Sequence, residues 1–373
     1  MPEVAVIVGT RPEVIKLAPV VRALAADATF RPYIVSTGQH RDLASQAFRD
    51  MGLEPDVNLG VMAEAQTPTQ LLSRTLAAIE ELLVDRRPIG VIVQGDTTSA
   101  LAGAIAAFHE QLPIAHVEAG LRTHCLQAPF PEEMNRSVIA RMAAIHFCPT
   151  ARAAGNLEAE GIVNGVHVTG NTVVDSLLWT LNHREIDEHR LCHFCSPEER
   201  LVLVTGHRRE NFFQPQQVLC EALDAIAVRF PDSAVVIPVH PNPHVRDPFQ
   251  RYFSGSPRVR LTEPLDYPTM LAALKRATLL ITDSGGLQEE APTFGTPILV
   301  TRRTTERPET IEAGCGELLA LSSVETVIAT ISRYLTIPGA VRTAPAKNPF
   351  GDGHAADRIV RQLCCAWTPG YGK

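Results

Sequence analysis

The sequence has little that would place it in a membrane or on a nucleic acid. Its first apolar run, residues 3–8, is broken at once by Gly9, Arg11 and Pro12, so it has neither the length of a membrane span nor the layout of a signal peptide. A formal net charge of −7 argues against a general nucleic-acid surface and leaves anion binding to local groups of arginine and lysine. We therefore expect a cytoplasmic protein with a small anionic ligand and with neither a nucleic-acid nor a membrane partner.

The cysteines do not have the regular spacing of a disulfide framework. Eight of them are scattered along the chain, which at 373 residues is long enough to fold without disulfides, so reduced thiols are expected. His189, Cys192, His193 and Cys195 resemble half of a zinc site. Because no second pair of ligands accompanies them, we interpret this stretch as a polar segment between elements and expect no metal.

What the chain does contain is a repeated rhythm of strand, loop and helix. Short β-branched apolar runs alternate with segments of helical spacing, the pattern of a doubly wound parallel sheet. Strands are predicted in the first half at 3–8, 33–37, 89–93, 113–117, 145–148 and 166–169, and in the second half at 201–205, 235–239, 259–261, 279–282 and 298–300.

The polar stretch at 182–199 separates the two series of strands and is predicted to connect two domains. The first domain would cover residues 1–181 and the second residues 200–350. The fold class is thus α/β, with two Rossmann-like domains, although the halves show no sequence repeat.

Acidic residues follow two predicted strands of the first domain. Asp96 follows the strand at 89–93, and Glu118 follows the strand at 113–117. Since ligands of a parallel sheet lie at the carboxyl ends of its strands, both carboxylates should face one site. Glu132 opens a later helix, where acids are also favoured by the helix dipole alone, so its position by itself leaves both interpretations open. Three acids together would suit proton transfer at a carbon centre.

Cations and glycines follow other predicted strands. Arg11 and Lys16 lie at the start of the first helix, where cations and free N–H groups could hold a phosphate; the alternative is a pair of solvated cations. In the second domain the segment at 283–286 (DSGG) combines a capping serine with glycines that let a ligand approach the backbone.

Three further groups in the second domain fit an anionic ligand. Glu290 could bind a pair of hydroxyls such as those of a ribose, or could be a solvated helix carboxylate. His207 lies in a charged loop (HRRE), and three arginines, Arg302, Arg303 and Arg307, follow the last predicted strand and would favour a diphosphate.

Taken in order, these motifs resemble the non-hydrolysing UDP-N-acetylglucosamine 2-epimerase family over nearly the whole chain. The matching segments are GTRPEVIKLAP, GQHR, QGDTTSALA, HVEAGLRT, FPEEMNR, TGNTVVDSL, TGHRRE, PVHPNP, TDSGGLQEEAP, TTERPE and NPFGDGHAADRI. The resemblance implies two domains facing a cleft, as in GT-B glycosyltransferases, and a C-terminal helix within 351–373 that packs back on the first domain.

The resemblance also implies a reaction. UDP-GlcNAc and UDP-ManNAc would interconvert without NAD or metal, by elimination of UDP to a 2-acetamidoglucal and its re-addition. The implied catalytic residues are Asp96, Glu118, Glu132 and His207. The implied substrate-binding residues are Arg11, Lys16, Arg136, Arg208, Ser284, Gly285, Gly286, Glu290 and Arg307. Which acid removes the proton in each direction stays open, and a homodimer is expected.

An activator site for a second UDP-GlcNAc is a further implication. Gln39, Arg74 and His240 match its positions, but Asp42 stands where a glutamine is common in the family. The alternatives for the whole chain are a hydrolysing epimerase that releases ManNAc, a 2-epimerase for a UDP-2,3-diacetamido sugar, a GT-B glycosyltransferase and a binding protein without catalysis. The pathway that uses the product is not determined by the sequence.

Overall fold

A computed structural model describes residues 1–39, 41–63, 66–184, 191–206, 211, 213–240, 243–302, 305–336 and 347–368. The chain divides into two compact units, one formed by Met1–Trp179 with Phe350–Lys373 and the other by Thr180–Pro349. Each unit contains one all-parallel sheet with helices between successive strands. The predicted fold class of two Rossmann-like doubly wound sheets is confirmed.

The first unit has a sheet of seven strands in the order β3-β2-β1-β4-β5-β6-β7. Its strands are β1 Glu3–Val8, β2 Arg31–Ser36, β3 Val57–Asn58, β4 Gly90–Gln94, β5 Ile114–Val117, β6 Ile145–Cys148 and β7 Val166–Val168. Its helices are α1 Arg11–Asp27, α2 Arg41–Met51, α3 Pro68–Arg86, α4 Thr98–His109, α5 Glu132–Met142, α6 Ala151–Ala159 and α7 Thr172–His183, the last of which crosses the division between the units.

The second unit has a sheet of six strands in the order β10-β9-β8-β11-β12-β13. Its strands are β8 Arg200–Thr205, β9 Ser233–Pro238, β10 Val259–Thr262, β11 Leu279–Thr282, β12 Ile298–Val300 and β13 Gly316–Leu318. The helices are α8 Gln214–Arg229, α9 Pro243–Phe253, α10 Tyr267–Arg276, α11 Gly285–Phe294, α12 Glu309–Glu312 and α13 Val324–Thr336, and α14 Ala355–Trp367 returns to the first unit.

The local sequence explains most of these elements. The central strands are fully buried runs of valine, isoleucine and leucine, as expected for strands covered on both faces. Several helices begin at a residue that caps them, since the side chains of Thr67, Thr97, Thr150 and Asp266 each accept the N–H three residues later. The edge strands β3 and β13 were not predicted, because their sequences, VN and GEL, contain no run of apolar residues.

Residues 191–199 lie in the second unit, whereas the sequence placed the whole stretch 182–199 outside both domains. Leu191 and Cys195 are fully buried. The guanidinium of Arg276 donates to the carbonyl of Cys195 at 2.7 Å, and Arg260 pairs with Glu199 at 2.7 Å. The polar composition of this stretch conceals two buried side chains, and Arg276 and Arg260 attach the stretch to the second unit.

The C-terminal helix α14 packs within the first unit. Its Trp367 meets Phe30 edge-on with ring centroids 6.5 Å apart, and the N–H of Ala356 donates to Asp175 at 2.8 Å. Gly90 lies beneath the indole, and a Cβ added there would be 2.8 Å from the nearest ring atom. A glycine at the start of β4 therefore makes room for the end of the chain.

We predict that Gly90→Ala lowers the free energy of unfolding by about 1–2 kcal/mol, because the new methyl group must displace Trp367. Thermal denaturation of the full chain would measure this. Gly155→Ala is the matched control, since it lies inside α6 with open space around its Cβ and should leave stability unchanged or slightly raised. Equal stability of the wild type and Gly90→Ala would contradict the prediction.

Candidate active site

Three neighbouring strands of the first sheet bring the predicted acids together. Strands β1, β4 and β5 are adjacent, and all three end at the same edge because the sheet is parallel. The turn after β4 carries Asp96, and Glu118 directly follows β5. The loop from 119 to 131 then leads to Glu132 at the first position of α5.

Glu118 is a buried carboxylate with three donors. Lys16 Nζ lies 2.5 Å from its Oε1, with both side chains about 95% buried. Gln94 donates to the other oxygen, and Asn171 Nδ2 approaches Oε1 at 3.4 Å. The backbone of Glu118 adopts φ +62°, a strained conformation for a residue with a side chain. Its direction is thus set by the backbone and by its partners.

The pairing of Lys16 changes the interpretation of the α1 N-terminus. Lys16 contacts Glu118, and the N–H groups of Gly9 and Thr10 donate to Glu13 at 3.0 and 2.7 Å. Lys16 and the N–H groups of Gly9 and Thr10 are therefore engaged within the protein. Arg11, at the start of the same helix, is partly exposed.

Asp96 pairs with the predicted binding residue Arg136. Arg136 Nη2 lies 2.5 Å from Asp96 Oδ2, and the arginine side chain is 4% exposed against 26% for the aspartate. Asn135 Nδ2 donates to the carbonyl of Asp96 at 2.8 Å. Asp96 is thus held from α5 at both its side chain and its backbone, while part of its carboxylate faces solvent.

The two acids that begin α5 have different surroundings. Glu133 is buried, and its Oε1 accepts the N–H groups of Thr123 and His124, each at 2.9 Å. Glu132 Oε2 is also shielded from solvent but accepts no hydrogen bond from the part of the chain that the structure describes. Glu133 anchors the preceding loop through Oε1, and its Oε2, which is equally buried, lies 3.5 Å from Arg136 Nη1. Glu132 Oε2 has no such cation among the described residues and is the oxygen available to a ligand or proton.

Sequence reasoning missed Glu13. This fully buried carboxylate accepts hydrogen bonds from Gly9 N, Thr10 N, Thr10 Oγ1 and Thr97 Oγ1. Burial raises its pKa to about 7, although the hydrogen bonds act in the opposite direction. The signal was present: Thr10 and Glu13 have the spacing of a capping box, a threonine at the helix start with a glutamate three residues later.

Two buried histidines lie on adjacent strands, near the strand ends that carry Asp96 and Glu118. His116 of β5 is in register with His146 of β6. Desolvation lowers the pKa of His116 to about 3 and that of His146 to about 4. His116 Nε2 lies 2.8 Å from the carbonyl of Gly95, so this nitrogen carries the proton of the neutral ring. His116 therefore holds the residue before Asp96.

In the second unit, α11 begins directly after β11, as the segment at 283–286 predicted. Ser284 is the N-cap residue by position, but its side chain makes no capping hydrogen bond. Asp283 is fully buried and accepts Asn211 Nδ2 at 2.9 Å. Gly286 has open space where a Cβ would be, whereas a Cβ on Gly285 would collide with the guanidinium of Arg307 at 2.5 Å.

Arg302 and Arg307, which follow β12, are not free cations. Arg307 is 2.5 Å from Glu289 and 2.5 Å from Glu306, and Glu306 also pairs with Arg302. All four side chains are at most 8% exposed. The expectation of an unpaired positive group at Arg302 and Arg307 omitted these glutamates. Arg307 instead contacts Gly285 at the start of α11. Arg303 lies outside the described residues.

Glu290 is only 4% exposed, which excludes a solvated helix carboxylate. His207 and Arg208 lie outside the described residues. Among the candidate activator residues, Gln39 accepts Ser99 Oγ at 2.7 Å, and Arg74 is exposed with a 3.4 Å contact to Gln66. His240 follows β9 in the second unit, and desolvation lowers its pKa.

The described ranges contain no cluster of three or more histidine, cysteine, aspartate or glutamate side chains arranged to hold a metal ion. His189, the first member of the half-site considered above, lies outside those ranges. Within the same ranges, no helix has the combination of length and apolar character that crossing a bilayer requires.

The two parallel sheets, with acids at the edge of one and a glycine-rich helix start at the edge of the other, define an α/β enzyme of two Rossmann-like units. A family model described as UDP-N-acetylglucosamine 2-epimerase matches residues 22–364. The chain belongs to this family of epimerases, which confirms the resemblance found in the motifs.

Individual relatives cover almost the full chain. A probable UDP-N-acetylglucosamine 2-epimerase of Ralstonia solanacearum is 43% identical over 97% of this chain and 99% of its own length. The UDP-GlcNAc 2-epimerase of Neisseria meningitidis bound to UDP-GlcNAc has a TM-score of 0.92 at 36% identity, covering 97% of this chain and 99% of that one. The enzyme of Methanocaldococcus jannaschii in complex with UDP-GlcNAc and UDP has a TM-score of 0.86 at 34% identity, with coverage of 97% and 99%.

The spinosyn rhamnosyltransferase SpnG shares the fold at a TM-score of 0.59 and 16% identity, over 97% of this chain and 99% of that one. This likeness supports the GT-B-like fold class and nothing further. The glycosyltransferase alternative therefore rests on the fold, whereas the epimerase assignment rests on sequence identity over the whole chain.

We predict that His116→Gln reduces the loss of stability in acid. Because the folded pKa of about 3 lies below the ordinary value of 6.5, the unfolded state takes up the proton first, and wild-type stability falls as pH decreases from 6.5. Glutamine can keep the donor to Gly95 but does not titrate. Below pH 6 the wild type should lose roughly 1 kcal/mol per pH unit relative to the variant.

Urea unfolding between pH 7 and pH 4.5 would measure this difference. His109→Gln, at an exposed histidine of α4, is the matched control for loss of an imidazole. If the free energy of unfolding depends on pH in the same way in the wild type and in His116→Gln, His116 is not held neutral in the folded protein.

Proposed function

We propose that this chain interconverts UDP-GlcNAc and UDP-ManNAc without hydrolysis. A carboxylate removes the proton from C2, the C–H electron pair forms the C1=C2 double bond, and UDP leaves with the electrons of the C1–O bond. Protonation of the other face of C2 and return of UDP to C1 then give the epimer. Family membership supports the substrate, as does the Neisseria meningitidis relative bound to UDP-GlcNAc.

The observation that carries this mechanism is the set of three acids in different surroundings at one edge of the first sheet. Lys16 stabilises the charge of Glu118, and Arg136 stabilises that of Asp96. Glu132 has a buried oxygen without a hydrogen-bond donor among the described residues. Because this oxygen is available to a substrate, Glu132 is our first choice for the acid that exchanges a proton with C2.

The nucleotide is assigned to the second unit. The start of α11 offers backbone N–H groups at Gly285 and Gly286, a suitable environment for a phosphate, whereas the Ser284 N–H donates to Thr282 Oγ1 at 2.9 Å. Buried Glu290 lies in the second turn of the same helix and is assigned to the ribose hydroxyls. Arg307 would act by holding this helix start, and the family motif assigns His207 and Arg208 to the UDP group.

Non-hydrolysing chemistry requires that UDP return before water reaches C1. The NPFGDG segment, which matches the non-hydrolysing branch, is tied to the acids: the carbonyl of Phe350 accepts the N–H of Asn171 at 2.7 Å, and the Asn171 side chain reaches Glu118. The Methanocaldococcus jannaschii relative is in complex with UDP-GlcNAc and UDP, which supports a site in this chain that can bind UDP.

The remaining parts of the proposal rest on the family resemblance. We infer a cytoplasmic homodimer that supplies UDP-ManNAc for cell-surface polysaccharides. We also infer activation by a second UDP-GlcNAc, which would be bound by Gln39, Arg74 and His240.

We predict that incubation with UDP-GlcNAc in D₂O yields UDP-ManNAc with deuterium at C2. Glu132→Gln should slow this exchange by at least about 100-fold, because the amide can neither accept nor return the proton. NMR of the sugar and of free UDP follows both steps. Glu158→Gln, at an exposed glutamate of α6, is the matched control. Release of free ManNAc would select the hydrolysing alternative, and no exchange without an acceptor would exclude an epimerase.

We predict that the reaction from UDP-ManNAc alone starts with a lag that traces of UDP-GlcNAc remove. Arg74→Ala should lengthen the lag without loss of stability, because Arg74 is exposed and makes one long contact. Initial rates at several UDP-GlcNAc concentrations would measure this, with Arg86→Ala on the same helix as control. Hyperbolic kinetics without a lag in the wild type would contradict the activator site.

A further inference from the structure

Glu13 joins two turns that are far apart in the sequence. Its Oε2 accepts Gly9 N at 3.0 Å, Thr10 N at 2.7 Å and Thr10 Oγ1 at 2.8 Å, all within the β1–α1 turn. Its Oε1 accepts Thr97 Oγ1 at 2.6 Å, which belongs to the β4–α4 turn. One carboxylate thus bonds to the turn that precedes Arg11 and to the residue that follows Asp96.

The direction of the bond to Thr97 is determined by its other partner. Thr97 caps α4 by accepting the N–H of Ala100 at 3.0 Å, which leaves its own proton for Glu13. A carboxylate is the acceptor that this geometry requires. The threonine hydroxyl is therefore held at both ends, and the backbone of Thr97 is held with it.

Capping of α1 alone does not account for this arrangement. The capping bond to the backbone uses Oε2, whereas Oε1 serves the other turn. Within the described residues the partners of Glu13 are neutral donors and include no cation, and its side chain is fully buried. A buried carboxylate without a cation is costly, and a helix cap at the protein surface would avoid that cost.

The two other residues of the same turn are held in a similar way. The carbonyl of Gly95 meets His116, and the carbonyl of Asp96 accepts Asn135. Three consecutive residues around the Asp96 carboxylate are thus each fixed by a side chain from a different element.

We propose that Glu13 is a positioning residue for Asp96, acting through Thr97. The inference rests on the proposed role of Asp96 in proton transfer. Loss of the bond between Glu13 and Thr97 frees the β4–α4 turn relative to Lys16 and Glu118, and a displacement of about 1 Å at a reacting group can reduce the rate about 100-fold. Thr97 lies in the turn that carries Asp96 and not in the turn before Arg11, so loss of its hydroxyl alone should change KM little.

The first test compares variants at both ends of the bond. Glu13→Ala should lower kcat about 100-fold. Its KM should also rise, because the turn before Arg11 loses the same carboxylate. Glu13→Gln should have a smaller effect, because its carbonyl oxygen can still serve the β1–α1 turn. Thr97→Val should resemble Glu13→Ala in kcat, and Thr97→Ser should restore kcat because it keeps the hydroxyl. Thr67→Val, which removes the equivalent cap of α3 and no bond between turns, should leave kcat unchanged.

Thermal denaturation of each variant distinguishes loss of folding from displacement of Asp96 in a folded protein. If Glu13→Ala does not fold, the pair Thr97→Val and Thr97→Ser still tests the inference with Glu13 intact. Wild-type kcat in Thr97→Val, or an increase of KM alone, would overturn it.

A double-mutant cycle then tests whether Glu13 acts through Asp96. Adding Glu13→Ala to Asp96→Asn should change kcat by less than about threefold, because the group that Glu13 positions is already absent. A further 100-fold loss would show that Glu13 acts independently and would overturn the inference. Wild-type kcat in Asp96→Asn would instead remove Asp96 from the proposed function, and the inference with it.

Discussion

The pair of Lys16 and Glu118 is the interaction on which the edge of the first sheet depends. Both groups are almost completely removed from water, and an isolated charge in that position would cost several kcal/mol. The cost is offset only when each charge has its partner and the remaining lone pairs have donors, which Gln94 and Asn171 supply. Because these four residues come from α1, β4, the end of β5 and the start of α7, one buried charge couples four parts of the fold.

The second unit satisfies the same constraint with a different set of residues. Glu289, Glu306, Arg302 and Arg307 form a buried chain of alternating charge beside the start of α11. Arg307 lies where a side chain on Gly285 would be, so a larger residue at position 285 would displace the arginine. Arg307 therefore restricts position 285 to glycine. The backbone N–H groups at this helix start are the groups proposed to bind the phosphates.

Much of the fold could be predicted because long buried strands consist of β-branched apolar runs and parallel order follows from their alternation with helices. The short edge strands could not, since β3 and β13 contain too few residues for a pattern. At the site, Asp96 and Glu118 could be located as strand-end acids. Glu13 could not be recognised from the sequence as a site residue. It lies between Arg11 and Lys16, and these two cations favoured the interpretation of the helix start as a phosphate site. The partners of Arg307 are known only once the chain is folded.

Glu133 holds the loop before α5 through backbone N–H groups of Thr123 and His124, and not through their side chains. Every residue type except proline has that donor. The anchor itself does not depend on the side chain at either position, but His124 has a left-handed φ of +59°, which disfavours β-branched residues there. The loop that leads to Glu132 is therefore held by its backbone, and the conformation of residue 124 restricts the residue type more than the hydrogen bonds to Glu133 do.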